Sequence, residues 1–197
     1  MKKILILFAH PAFQKSRINK ILIHGVDDME GITLHDLYQA YPEMDIDIEA
    51  EQKLVDAHDI IIFHHPFYWY STPAILKEWQ DLVLNHGWAY GHEGIKLKGK
   101  FIFQVLTAGG EKMAYCQQGY NKFTIRQLLR PFEQMANLCQ MNYLPPFVVH
   151  GTHSITKQEV LEHKTTYLEL LAGLRDETIN LDDLANREYF NDYFTNK

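Results

Sequence analysis

Three short segments of this 197-residue chain hold side chains suited to an anionic, flat, hydrogen-bonding ligand. The first reads His10-Pro11-Ala12-Phe13-Gln14-Lys15-Ser16-Arg17-Ile18-Asn19. It follows an apolar run and precedes helical periodicity. Backbone N–H groups at a helix start, beside hydroxyl, amide and guanidinium groups, make an anion site. The segment has neither the dinucleotide fingerprint nor the P-loop pattern. A plain helix cap by Ser16, with Arg17 in solvent, accounts for the same residues. The second segment is Pro66-Phe67-Tyr68-Trp69-Tyr70-Ser71-Thr72-Pro73. Four consecutive aromatics at the end of a buried strand cannot all face one core. They form either a plug under the next helix or the wall of a cleft, and their place at a strand's carboxyl end favours the cleft. The third is Thr107-Ala108-Gly109-Gly110. Paired glycines let the backbone approach a ligand and offer its N–H groups, although an ordinary tight turn uses them equally well.

These segments need a frame. Lys3 to Ala9 is a continuous apolar run, which marks a parallel strand covered on both faces. Ile32 to Leu37 is a half-polar second strand, Asp59 to Phe63 a third and Lys100 to Leu106 a fourth. A fifth runs from Tyr143 to His150, interrupted by Pro145-Pro146. Between them lie helical patterns. One opens after Ser16, and a short one ends near Ala57. One starts at Thr72-Pro73 with proline at its first position. A long one is kinked at Pro131. The capping box Thr156-Lys157-Gln158-Glu159 opens the last, with Leu161, Leu168, Leu171 and Ala172 facing inward. Strands alternating with helices predict a doubly wound five-stranded parallel sheet in three α/β/α layers. The predicted domain spans residues 1–175. Residues 176–197 form a polar tail ending in aromatics, either frayed or an arm that docks on a neighbour. In such a sheet, ligands sit outside the carboxyl ends of the strands, where the three segments fall.

Composition narrows the class. Hydrophobic residues make up 46% of the chain and the formal charge is −6. An acidic balance argues against nucleic-acid binding and against docking on an anionic membrane. The apolar runs are too short to span a bilayer. Two cysteines, Cys116 and Cys139, make no disulfide framework, so the compartment reads as cytoplasmic. Eleven histidines invite a metal reading. However, His64 and His65 point to opposite faces of a strand, and His86 and His92 lack a third ligand at a supporting spacing. No metal is expected. Cys116 has no evident activating base and reads as pocket lining, and no serine occupies a nucleophile elbow.

Phosphate pocket, aromatic wall and backbone hydrogen-bonding edge are what a flavin mononucleotide requires. The chain resembles the flavodoxin-like NAD(P)H:quinone oxidoreductases, the DT-diaphorase family, and within it a bacterial branch associated with glutathione-gated potassium efflux. The resemblance rests on His10-Pro11 with Ser16 to Asn19, on Pro66 to Lys77, on Gly87-Trp88-Ala89-Tyr90-Gly91, on Thr107 to Gly110, and on Pro145-Pro146-Phe147. It covers roughly residues 1 to 172. It implies a homodimer with flavin at the subunit interface and ping-pong hydride transfer. His10, Ser16, Arg17, Ile18 and Asn19 would hold the phosphate. Pro66, Phe67, Tyr68, Trp69 and Tyr70 would wrap the ring. Thr107, Ala108, Gly109 and Gly110 would meet its polar edge. Ala108 stands where the family commonly has a second threonine. Tyr115 matches the family's catalytic tyrosine, whereas Asn121 or Lys122 replaces its histidine partner. FMN is the expected cofactor, with FAD the alternative, and NADH or NADPH the hydride donor.

Three function classes follow. The first is a two-electron reductase of quinones or similar electrophiles. The second is a one-electron flavodoxin-type carrier. The third is a regulatory subunit on a potassium transporter's cytosolic face. The extra loop at residues 86–99 and the aromatic inventory favour the enzyme.

Overall fold

A computed structural model describes residues 1–184 and 187–194. The strands are β1 (Ile4–Phe8), β2 (Ile32–Asp36), β3 (Ile60–Pro66), β4 (Phe101–Thr107), β5 (Asn142–Tyr143) and β6 (Phe147–Val149). The helices are α1 (Asn19–Ile23), α2 (Leu37–Ala40), α3 (Ile48–Asp56), α4 (Ala74–Val83), α5 (Ile125–Leu128), α6 (Arg130–Leu138), α7 (Lys157–Arg175) and α8 (Asn191–Phe194). The strands pair in the order β2-β1-β3-β4-β5, all parallel, and β6 also pairs with β4. Order reverses between β1 and β3, which opens the crevice where doubly wound sheets take their ligands. The expected fifth strand is therefore two short pieces. Pro145 and Pro146 have no N–H to donate, so the ladder stops at Tyr143 and resumes at Phe147.

Alternate residues of each central strand feed two cores. Leu5, Leu7, Ile61 and Phe63 face α3 and α4 through Val55, Ile75 and Trp79. Ile4, Ile6, Ile60 and Ile62 face the layer of α1 and α7 through Leu22, Tyr167 and Leu171. At the edge of the first core sits a buried carboxylate, Glu51. It accepts hydrogen bonds from His35 Nε2 (2.7 Å), Tyr41 Oη (2.6 Å) and Trp79 Nε1 (2.7 Å). Burial alone would raise its pKa, but these three bonds outweigh it and hold the group below the usual carboxylate value.

Three helix details depart from the sequence expectation. Pro73 is the N-cap of α4, not its first residue, and Thr72 supplies no capping hydrogen bond. The extended backbone required of a residue before proline places Thr72 outside the helix. The predicted kinked helix is broken at Leu129, and α6 restarts with Pro131 in its first turn. The buried face of α7 comprises Val160, Tyr167, Leu170, Leu171 and Leu174, while Leu161 is exposed. Reading only the aliphatic positions rotates that stripe, because Tyr167 buries its ring as fully as any leucine here. The capping box of α7 forms as predicted, with both reciprocal bonds present.

Beyond α7 the chain returns to the sheet. Phe190 packs its ring 4.8 Å from Phe103. Asn191 accepts from Val148 N–H (2.8 Å) and donates to Val148 C=O (3.1 Å), covering the edge of β6. The last residues of the expected tail, 195–197, lie outside the described ones.

Candidate functional site

A cavity of about 680 Å³ lies at the carboxyl ends of β1, β3 and β4. His10, Ser16, Arg17, Ile18 and Asn19 line one end, Pro66, Phe67, Tyr68 and Trp69 a wall, and Thr107 and Gly109 the floor. The structure thus brings together most of the residues expected from three separate loops.

The polar end is built by the turn into α1. Ser16 Oγ accepts from Asn19 N–H (3.1 Å) and from Asn19 Nδ2 (3.2 Å). Asn19 is buried, and its Nδ2 also donates to Thr107 Oγ1 (3.1 Å), tying the loop after β1 to the end of β4. His10 Nδ1 accepts from Ala12 N–H (3.2 Å), which leaves the proton on Nε2. Burial lowers its pKa, so near neutral pH this imidazole is an uncharged donor. The Arg17 guanidinium reaches across the opening. Its Nη2 donates to the carbonyls of Thr152 (3.1 Å) and Ile155 (3.2 Å), which fastens the loop between β6 and α7. Arg17 also lines the cavity, so its positive charge sits at this end.

The aromatic wall is a turn in an unusual conformation. Ser71 N–H donates to Tyr68 C=O (3.0 Å), closing a turn over Trp69 (φ 49°) and Tyr70 (φ 62°). Left-handed backbone at two consecutive bulky residues is strained, and such strain persists where the surroundings impose it. The turn holds Trp69 out with 93% of its surface exposed. Phe67, by contrast, is buried. Tyr70 turns from the cavity and donates its hydroxyl to Asn121 Oδ1 (3.1 Å). Asn121 is therefore tied to the aromatic turn.

On the floor, Ala108 is buried, with its N–H on Val149 C=O (2.8 Å) and its C=O accepting from Thr152 N–H (3.1 Å). Gly109 has a physical reason: a Cβ there would lie 2.9 Å from His153 Nε2. Ala108, Gly110 and Tyr115 stand behind the cavity lining. Tyr115 packs its ring against Phe67 (6.2 Å) and His150 (5.6 Å), and a Cβ on Gly110 would meet it at 3.1 Å. Burial raises the Tyr115 pKa and the Gly110 amide opposes that only in part, so the phenol keeps its proton at neutral pH.

Residues 2–171 match the model of a family described by its flavodoxin-like fold. The glutathione-regulated potassium-efflux system ancillary protein KefG of Serratia proteamaculans is 46% identical over 166 residues, covering 84% of this chain and 90% of that one. The general stress protein 14 of Treponema denticola, solved in complex with FMN, superposes with TM-score 0.83 at 38% identity, covering 87% of this chain and 99% of that one. An NADPH-quinone reductase from P. pentosaceus gives TM-score 0.78 at 33% identity, covering 85% and 96%. This chain belongs to the flavodoxin-like family.

In flavodoxin-like sheets the crevice beside β1 and β3 is the ligand site, and here it contains the residues just described. Three further residues line it that were not singled out in the sequence: Lys15, Thr152 and His153. Thr152 and His153 follow the fifth strand segment, so the rule that points to carboxyl-end loops applies to them equally. A second hollow of about 640 Å³ lies between α7 and the returning tail. Its Glu111 accepts from Ser154 (2.6 Å) and its Asp192 pairs with Lys112 (3.3 Å). Those carboxylates make it a poor receptor for an anion, whereas the first cavity presents donors.

Proposed function

We propose that this chain is an FMN-dependent NAD(P)H oxidoreductase that reduces quinones or similar electrophiles by two electrons, in a ping-pong cycle. The observation that carries the reading is the convergence, in one switch-point cavity, of an anion-donating turn, an aromatic wall and a glycine floor. FMN fits that set. Its phosphate suits the His10 Nε2–H, the Ser16 hydroxyl and the charges of Lys15 and Arg17. Its ring suits Phe67, Tyr68 and Trp69, and its polar edge suits the close approach that Gly109 permits. FMN, when bound, supplies a ring that accepts hydride from a nicotinamide and passes it to the acceptor. Quinone, NAD(P)H and one proton thereby become hydroquinone and NAD(P)⁺.

The protein's part is to bind, orient and supply donors. His10, Ser16 and Arg17 supply donors at the phosphate end, Ile18 lines it, and Asn19 orients Ser16. Pro66 to Trp69 shape the wall, and Tyr70 braces the turn from outside by donating to Asn121. Thr107 and Gly109 form the polar edge, with Ala108 and Gly110 behind them. Tyr115 keeps a protonated phenol beside Gly110, available as a donor where negative charge develops. The similarity to an NADPH-quinone reductase at 33% identity supports the reductase reading.

The exposed aromatics also support a homodimer. Trp69 on the cavity wall and Tyr120 and Phe123 on either side of Asn121, which holds Tyr70, present exposed apolar surface, and a second copy is the partner that this reading assigns to it. A regulatory role on the cytosolic face of a potassium transporter is a second reading, favoured by 46% identity to KefG. No described helix is long and apolar enough to cross a membrane, so that role requires docking on a separate membrane protein. Purified protein tests the enzyme: it should be yellow, release FMN on denaturation, and bleach directly on stopped-flow mixing with NADPH or NADH. Bleaching that depends on an added reductase protein would mark a one-electron carrier instead.

A further inference from the structure

His64 lies at the end of β3 with no exposed surface, and it sits behind the cavity rather than in it. Its Nε2 is 3.1 Å from Asn19 Oδ1, and its Nδ1 is 3.3 Å from Tyr167 Oη on α7. Asn19 Nδ2 has two hydrogens and two partners, Ser16 Oγ and Thr107 Oγ1. Asn19 Oδ1 must then accept from His64, which places the imidazole proton on Nε2. Nδ1 is left to accept from the Tyr167 phenol.

The consequence reaches the cavity. A serine hydroxyl has two acceptor positions and one hydrogen. Ser16 Oγ fills both acceptor positions, with Asn19 N–H and Asn19 Nδ2. Its own hydrogen is the one hydrogen-bonding function left, so Ser16 faces a ligand as a donor. Thr107 Oγ1 is pushed the same way by its bond from Asn19. Reversing the amide would invert this. Oδ1 would then accept from Ser16 and Thr107, and both hydroxyls would turn inward.

We propose that His64 is a positioning residue: as the Nε2–H tautomer braced by Tyr167, it fixes the Asn19 amide so that the Ser16 and Thr107 hydroxyls donate into the cavity, selecting an anionic, acceptor-rich ligand. The inference rests on the FMN reading for the identity of that ligand. Burial supports it, because it lowers the His64 pKa to about 3 and keeps the ring neutral.

Two measurements test the assignment, one of them independent of flavin. Long-range ¹⁵N–¹H correlations on the protein as purified should show His64 protonated at Nε2, and an Nδ1–H tautomer overturns the proposal. Binding of FMN and of riboflavin is then compared in His64→Leu, Tyr167→Phe and His64→Gln. The Leu and Phe variants should weaken FMN by about tenfold, the scale of one or two hydrogen bonds, and weaken riboflavin, which meets Thr107 but has no phosphate for Ser16, by clearly less. His64→Gln keeps an N–H for Asn19 Oδ1 and should restore FMN binding. Equal losses for both flavins would reduce His64 to a packing residue and overturn the proposal. If the unaltered protein prefers neither FMN nor riboflavin, the cofactor reading fails, and the tautomer still decides the orientation of Asn19.

Discussion

At the residue scale, each charge and donor in the cavity has a separable task. Arg17 divides its guanidinium between two backbone carbonyls and the anion end. Arg17→Ala should therefore weaken FMN by roughly 1.5–3 kcal/mol, the range for hydrogen bonds to charged groups. Riboflavin, which lacks the phosphate, should bind almost as before. Titration of both flavins by fluorescence quenching decides this, and parallel losses would remove Arg17 from phosphate binding. Tyr115 has a different signature. Its donor matters where charge develops during hydride transfer, so Tyr115→Phe should slow reduction by NAD(P)H about tenfold, because one neutral hydrogen bond contributes about 1 kcal/mol. FMN affinity should stay nearly constant. Single-turnover rates that match the unaltered protein would exclude Tyr115 from the chemistry. A protonated phenol is what an ordinary tyrosine offers at neutral pH, but its position behind Gly110 was not legible in the sequence, since it follows from Phe67 and His150 packing on its ring.

At the element scale, the turn from Tyr68 to Ser71 sets function against stability. Two left-handed residues in succession suit glycine or asparagine, and a bulky residue there costs on the order of 1–3 kcal/mol. Trp69 contributes little burial in return. Trp69→Gly should raise the urea midpoint by an amount equivalent to about 1 kcal/mol while weakening flavin binding, because the ring that covers the cavity is gone. A variant that loses stability would show that this turn is not strained. The proline pair after β5 acts on the same scale. By ending the ladder and restarting it at Phe147, it sets where β6 begins; β6 runs to Val149, and Thr152 and His153 line the cavity from the loop that follows.

At the scale of the whole molecule, buried histidines make the fold acid-sensitive. His64 and His65 are fully buried, and desolvation lowers their pKa values to about 3 and about 4, from an ordinary value of 6.5. Below pH 6.5 the unfolded chain binds protons that the folded chain refuses, so stability falls as pH falls. Each histidine should contribute roughly 1.4 kcal/mol per pH unit between about pH 6 and pH 4. Glu51 adds loss in the same direction at lower pH, where its depressed carboxylate finally protonates. Urea unfolding across that range should show the slope, and His64→Gln should lessen it by about one proton. A flat profile would mean that these rings titrate normally. Assembly belongs to this scale too. If two copies cover the exposed aromatics, dilution should release FMN as the dimer dissociates, because binding and association are linked. Sedimentation that finds a flavin-saturated monomer at every concentration would reject it.

The sequence by itself determined the layered α/β fold and the three loops that meet at the site. Continuous apolar strands, capping boxes and strand-end loops are local signals, and local chemistry specifies them. Only the tertiary structure decided which side chains face the cavity and which stand behind it. Tyr70 turns away to Asn121, Ala108 is spaced into the core, and Arg17 clamps a loop more than a hundred residues distant. The role assigned to His64 was hidden for the same reason. A histidine's tautomer depends on what touches each nitrogen, and both of its partners, Asn19 and Tyr167, lie far away along the chain.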